Sequence, residues 1–172
     1  MRGIDHIGLT VRNIEDAERF LINGLGARFI YETLNRSMEP FAGPATEKMM
    51  QGPVGLKVSR IRMYEMAIGP GIELFEYDEV EEQRPALRGC DIGWQHIAIY
   101  VDDIQHAIDR AVEAGAKLLN EPWDLTRAES GPGNKFCFIQ APFGALIELI
   151  TYPSIQPYGK QTDLRRWKPP KS

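Results

Sequence analysis

The chain contains the same phrase twice. Residues 6–17 read HIGLTVRNIEDA and residues 96–107 read HIAIYVDDIQHA, so His6, Ile7, Val11, Ile14 and Ala17 recur as His96, Ile97, Val101, Ile104 and Ala107. The ends of the two halves also correspond: GIELFEY, from Gly71, answers LIELITY, from Leu146. A duplicated unit that opens on a histidine strand and closes on a glutamate strand yields two His and two Glu, the inventory of a metal site.

Each half carries the same punctuation. Residues 4–11 alternate with period two, Ile7, Leu9 and Val11 against His6, Gly8 and Thr10, as a strand requires. Asn13 is placed to cap a helix with Ile14, Ala17 and Leu21 on one face and Gly24 and Gly26 at its end. In the second half Ile97, Ile99 and Val101 oppose His96, Ala98 and Tyr100. Asp103 then caps a helix with Ile104, Ala107, Ile108, Ala111 and Val112 on its apolar face, and Gly115 stops it. Three strands follow each helix, at about 28–34, 56–67 and 71–77, then 116–120, 134–140 and 145–151. Gly69-Pro70-Gly71 and Pro142-Phe143-Gly144 supply hairpin turns. The expected fold is α+β, a βαβββ module made twice. The modules fall at 1–77 and 94–152, with a linker at 78–93 and an extended arm at 153–172. The first half is longer mainly because of a loop insert at about 37–55, and a loop of that length is usually functional or mobile.

Alternation gives the histidines their meaning. His6 shares its face with Gly8 and His96 with Ala98, so both project onto a face cleared of bulk. Glu73 and Glu148 each lie between aliphatic residues in mid-strand, where an ionised carboxylate is costly without a compensating partner, and a divalent cation is an effective one. A single strand histidine is ordinarily a hydrogen-bonded core residue; two of each type at matched places are harder to dismiss. His106 is read as a solvent-exposed helix residue, and Glu65 and Glu76 as surface residues.

Composition narrows the classes. At 172 residues, 43% hydrophobic and 26% charged, the chain has the make-up of a soluble globular protein. Its net charge of −4 gives no case for nucleic acid. The basic run Arg165-Arg166-Trp167-Lys168 is read as a solvated terminus. No stretch approaches the roughly 18 apolar residues of a membrane span. With Cys90 and Cys137 forming no framework and no secretory signal in evidence, a cytoplasmic location is expected. Cys137, between Phe136 and Phe138, is read as a buried structural thiol.

The motifs IDHIGLTV, GIELFEY, GWQHIAIYVDDI and ALIELITYP resemble those of the vicinal-oxygen-chelate superfamily, which includes glyoxalase I, methylmalonyl-CoA epimerase, extradiol dioxygenases and the bleomycin- and fosfomycin-resistance proteins. The likeness covers residues 4–152. It implies paired modules whose mixed sheets curve round a shared cleft, and one divalent metal at His6, Glu73, His96 and Glu148. Mixed N/O ligands admit Ni, Co, Mn, Zn or Fe. Two His and one carboxylate is the pattern of Fe(II) oxygenases. A fourth ligand, Glu73, resembles instead the glyoxalase I and epimerase branch, where the cation acts as a Lewis acid and stabilises an enolate. Glu148 and Glu73 are then the candidates for a carboxylate that takes and returns the proton.

The resemblance implies an isomerase or epimerase acting next to a carbonyl, ahead of a glyoxalase-type lyase. An extradiol dioxygenase and a non-enzymatic drug-binding protein stand behind these. A small-molecule substrate and a homodimer are implied as well. Trp94, Tyr100 and Trp123, with Arg60, are candidates to line the substrate site. Arg127 and Arg62 are weaker ones. GPGNKF, from Gly131 to Phe136, is read as a structural turn.

Overall fold

The computed structural model describes residues 3–78, 80 and 83–170. The chain divides into two compact units, 1–85 and 86–172. Three linker residues, 79, 81 and 82, lie outside the described residues, as do 1, 2, 171 and 172.

The first unit runs β1 (His6–Thr10), α1 (Ile14–Leu25), β2 (Arg28–Leu34), β3 (Phe41–Ala42), α2 (Pro44–Met50), β4 (Lys57–Glu65) and β5 (Gly71–Asp78). Its sheet has the order β1-β5-β4-β2, with β3 on β4. The β1–β5 pair is parallel and the others antiparallel, which makes the sheet mixed. The second unit repeats the plan with β6 (Ile97–Tyr100), α3 (Ile104–Glu113), β7 (Lys117–Leu118), β8 (Trp123–Asp124), β9 (Lys135–Gln140) and β10 (Leu146–Thr151). Its order is β6-β10-β9-β7, again with one parallel pair, β6–β10. The duplicated βαβββ plan is therefore observed, and the fold is α+β.

The caps follow the sequence closely. Asn13 accepts from the Asp16 amide at 2.9 Å and Asp103 from the His106 amide at 3.0 Å, each satisfying an orphan donor of the first turn. Gly26 ends α1 with φ 76°, a conformation that favours glycine. Gly24, expected to help end this helix, instead lies inside it and is buried. Ile14, Ala17, Phe20 and Leu21 pack into the core. In α3 the apolar face is narrower than expected, since Val112 is 45% exposed while Ile108 and Ala111 are buried.

The insert is not a bare loop. It holds β3, whose Phe41 and Ala42 pair with Val58 and Lys57, and the short helix α2, with Pro44 in its first turn. Met50 at the end of α2 packs on Leu34, Val58 and Ile61.

Glu76 is also not at the surface. Strand parity places it with Ile72 and Leu74 on the face that α1 covers, and it is 4% exposed. One carboxylate oxygen accepts from the Ile14 amide at 2.8 Å, the other from Arg36 at 2.6 Å. Arg60 stands 3.9 Å away. A buried carboxylate at a helix N-terminus both caps the helix and complements its dipole. Glu76→Ala should therefore destabilise the chain by about 3 kcal/mol, the cost of removing the carboxylate from the buried Arg60 and from the Ile14 amide. Urea denaturation of the variant beside Glu65→Ala, whose carboxylate makes an exposed ion pair with Arg28, measures the difference.

Candidate metal centre

In the first unit His6, Gly8 and Thr10 share a sheet face with Glu73, Phe75 and Tyr77, opposite to α1. The register sets Gly8 directly beside Glu73. His6 Nε2 lies 3.3 Å from Glu73 Oε2. The second unit reproduces this: Ala98 stands beside Glu148, and His96 Nε2 lies 3.2 Å from Glu148 Oε2. A small residue next to each glutamate leaves room above it. Gly71 adds to this in the first unit, because a Cβ there would come within 3.0 Å of the Tyr64 carbonyl oxygen and 3.6 Å of His6 Cβ.

The far ring nitrogens are held as well. His6 Nδ1 donates to Asp5 at 2.8 Å, and His96 Nδ1 donates to Gln95 Oε1 at 2.8 Å. Gln95 is oriented in turn by its amide nitrogen, which donates to the Gly89 carbonyl. Holding Nδ1 as the donor leaves Nε2 with its lone pair free, the tautomer that a metal-ligating histidine needs. The residue before each histidine is thus part of the repeat, although Asp5 and Gln95 differ in charge. Reading the repeat one residue earlier would have exposed this. The Asp5 hydrogen bond holds the His6 pKa above its ordinary value; burial opposes it and the Glu73 charge adds to it. Burial pushes the Glu148 carboxyl up, against the pull of His96 and Arg166.

Among the described residues, no three His, Cys, Asp or Glu side chains stand together as a metal-holding group. What the structure brings together is one His–Glu pair in each unit. The donor set, two imidazoles and two mostly buried carboxylates at 17% and 13% exposure, fits a borderline divalent cation. Gln95→Leu should weaken metal binding about 10–100-fold by freeing the His96 tautomer, while Gln95→Glu keeps the acceptor and restores it. Competition against a chelating dye reads both.

The other candidates separate by face. Tyr100 lies on the Glu148 face, its ring 4.8 Å from that of Tyr152. Trp123 pairs with Phe136 across β8 and β9 and presents its ring edge-on to it at 6.2 Å. Phe136 meets Phe138 at 5.9 Å, and Phe138 meets His96 at 5.2 Å. An aromatic row therefore runs from Trp123 to the histidine. The alternation around Cys137 already implied this common parity, but not that Phe138 would stand beside Glu148 in the register. Trp94 is 94% exposed. Arg127 has φ 54°, rare outside glycine and a mark of a constrained turn.

Arg60 must be removed from the substrate-facing set. The register aligns it with Glu76 and Arg62 with Leu74, on the helix side of the sheet and opposite to Glu73. Arg60 is bonded to Glu15 and Glu32, and Arg62 to Glu18 and Glu32. Two arginines with matched acids on the adjacent helix and strand form a structural network. Cys137 is fully buried, and burial pushes its thiol up to about 11, which makes it a poor nucleophile at neutral pH. His106 is exposed. The GPGNKF run is structural: Asn134 is fully buried, donating to the Glu129 carbonyl and accepting from the Ser154 amide, both at 3.0 Å.

Two mixed-sheet modules, each with a histidine strand beside a glutamate strand, define a class of protein. Residues 5–138 match the model of the glyoxalase/bleomycin resistance protein/dioxygenase superfamily, and the chain belongs to that superfamily. It is 27% identical over 169 residues to a 2-epi-5-epi-valiolone epimerase from Actinomyces, covering 96% of this chain and 88% of that protein. Among solved structures it is similar to a glyoxalase family protein from Bacillus cereus, with TM-score 0.67 and 19% identity over 88% of this chain and 94% of the other. It is also similar to the fosfomycin resistance protein FosX from Mesorhizobium loti, with TM-score 0.54 and 18% identity over 87% and 91%. Among the described residues no helix is long and apolar enough to cross a membrane.

Proposed function

We propose that the chain is a divalent-metal-dependent isomerase or epimerase that moves a proton on a carbon next to a carbonyl. The observation that carries this reading is the duplicated His–Glu pair with its Nδ1 partners: two matched half-sites, each with Nδ1 held and Nε2 turned toward a largely buried carboxylate. Module 1–77 would contribute His6 and Glu73, and module 94–152 would contribute His96 and Glu148, to one metal. The epimerase similarity over nearly the whole chain supports the reaction class. Homodimerisation, common where such modules pair across subunits, belongs to the same proposal.

A bound divalent cation supplies Lewis acidity at the substrate's carbonyl oxygen, which acidifies the neighbouring C–H. The remaining work falls to the chain. Glu148 accepts that proton and returns it. Glu73, from the other half of the repeat, is the second carboxylate able to exchange a proton with the substrate. The aromatic row from Trp123 to Phe138 excludes water beside Glu148 and offers apolar surface to a ring-shaped substrate.

The test uses 2-epi-5-epi-valiolone in D₂O, with C–H exchange followed by NMR and metal measured on the same preparation. Metal-replete protein should exchange the proton next to the carbonyl, chelation should stop this, and re-addition should restore it. Metal-replete protein that shows no exchange, but takes up oxygen with a catechol, would move the chain to the dioxygenases.

A further inference from the structure

The arm after Pro153 is not simply extended, and its basic run is not simply solvated. The Ser154 amide donates to Asn134, and the Ser154 hydroxyl donates to the Pro132 carbonyl at 2.5 Å. A 3₁₀ turn follows at Pro157–Lys160. The chain then folds back on itself. The Arg166 amide donates to the Tyr158 hydroxyl at 2.8 Å, the Tyr152 hydroxyl donates to the Trp167 carbonyl, and Lys168 Nζ donates to the Tyr152 carbonyl at 3.0 Å.

This return borders an open pocket of about 820 Å³. Its wall carries Lys160, Arg165, Arg166 and Lys168 and no Asp or Glu. Glu129, outside the wall, pairs with Arg166 alone. Gln156 also lines the pocket. It is 7% exposed, and its amide nitrogen has no hydrogen-bond partner among the described residues. A chain with net charge −4 has thus gathered four cations and an unsatisfied buried donor around one space. The four cations are exposed, Arg166 pairs with Glu129 and Lys168 with the Tyr152 carbonyl, but a buried donor left unpaired is costly, and an oxyanion would satisfy it while drawing on the positive charge around it.

We infer that the C-terminal arm builds a phosphate-binding pocket, with Gln156 and the cations of Lys160, Arg165, Arg166 and Lys168 as its donors. The pocket continues the Glu148 face. Tyr152 in its wall is four residues beyond Glu148 with the same strand parity, about 13 Å along an extended chain. The inference deepens the isomerase reading, on which its catalytic meaning rests, by giving the preferred substrate a phosphate monoester at the end remote from the reacting carbon, a group that 2-epi-5-epi-valiolone lacks.

The full chain, freed of metal, is titrated calorimetrically with inorganic phosphate and with glycerol 1-phosphate. The variants are Lys160→Glu/Arg165→Glu in the pocket and Lys117→Glu on β7 as a charge control. Both pocket positions are exposed, and among the described residues Arg165 bonds the local Thr162 and Leu164 carbonyls, so thermal melts should stay near wild type. Saturable binding is expected, weakened on the order of tenfold or more in the double variant and little changed in Lys117→Glu. Tighter binding of the monoester identifies a substrate group; equal affinity identifies a site for free phosphate. No saturable binding, equal binding by wild type and double variant, or equal weakening by the control would overturn the inference. Because the titration needs neither metal nor turnover, it can fail while the isomerase reading stands, and the reverse.

Discussion

Glu148→Gln should abolish proton exchange while sparing the metal. The amide oxygen of glutamine can still coordinate a cation, but it cannot accept a proton from carbon at neutral pH. General-base catalysis contributes about 10²–10⁴-fold, and a loss of that size is expected in the C–H exchange rate in D₂O. The matching variant, Glu73→Gln, discriminates between the two halves. Exchange that survives in Glu148→Gln but vanishes in Glu73→Gln would transfer the role of base to Glu73. Exchange that survives in both would end the carboxylate mechanism.

The repeat made much of this legible before any coordinates. Period-two alternation set His6 beside Gly8 and His96 beside Ala98, and the register then placed those small residues directly against Glu73 and Glu148. Asn13 and Asp103 announced their helices because capping is local chemistry. Other features resisted because their cause is not local. Glu76 shares parity with Leu74, yet a charge at a core position reads as surface until Arg36, Arg60 and the Ile14 amide are known to converge on it. Arg60 looked free for the same reason, since its acids lie on α1 and β2. The helix α2 has seven residues, too few for a 3.6-residue period to show. The return of the arm depends on Tyr152 and Asn134 as tertiary anchors, which no spacing within 153–172 encodes.

Removing one ligand should disconnect stability from metal. A cation held at 100 times its dissociation constant stabilises a folded chain by about 2.7 kcal/mol, which for a protein of this size is a rise in Tm of roughly 5–10 °C. That rise is expected for the wild type and should disappear in His96→Ala, together with the bound metal. Its pH dependence follows from the raised groups. The Glu148 carboxyl and the His6 imidazole both hold their protons more tightly in the folded chain than in the unfolded one. Each therefore contributes stability that is complete below its unfolded pKa and is lost as pH rises through its folded pKa. For Glu148 the loss begins above about 4.3, and for His6 above about 6.5. Metal-free protein should thus weaken between pH 5 and 8. A cation binds the deprotonated ligands, so the metal-dependent gain in Tm should grow over the same interval. Thermal melts of both proteins with and without metal, at pH 5, 6.5 and 8, give the comparison. An undiminished metal-dependent gain in His96→Ala would take His96 out of the ligand set. Metal-free wild-type protein that becomes more stable toward pH 8 would contradict the raised pKa values.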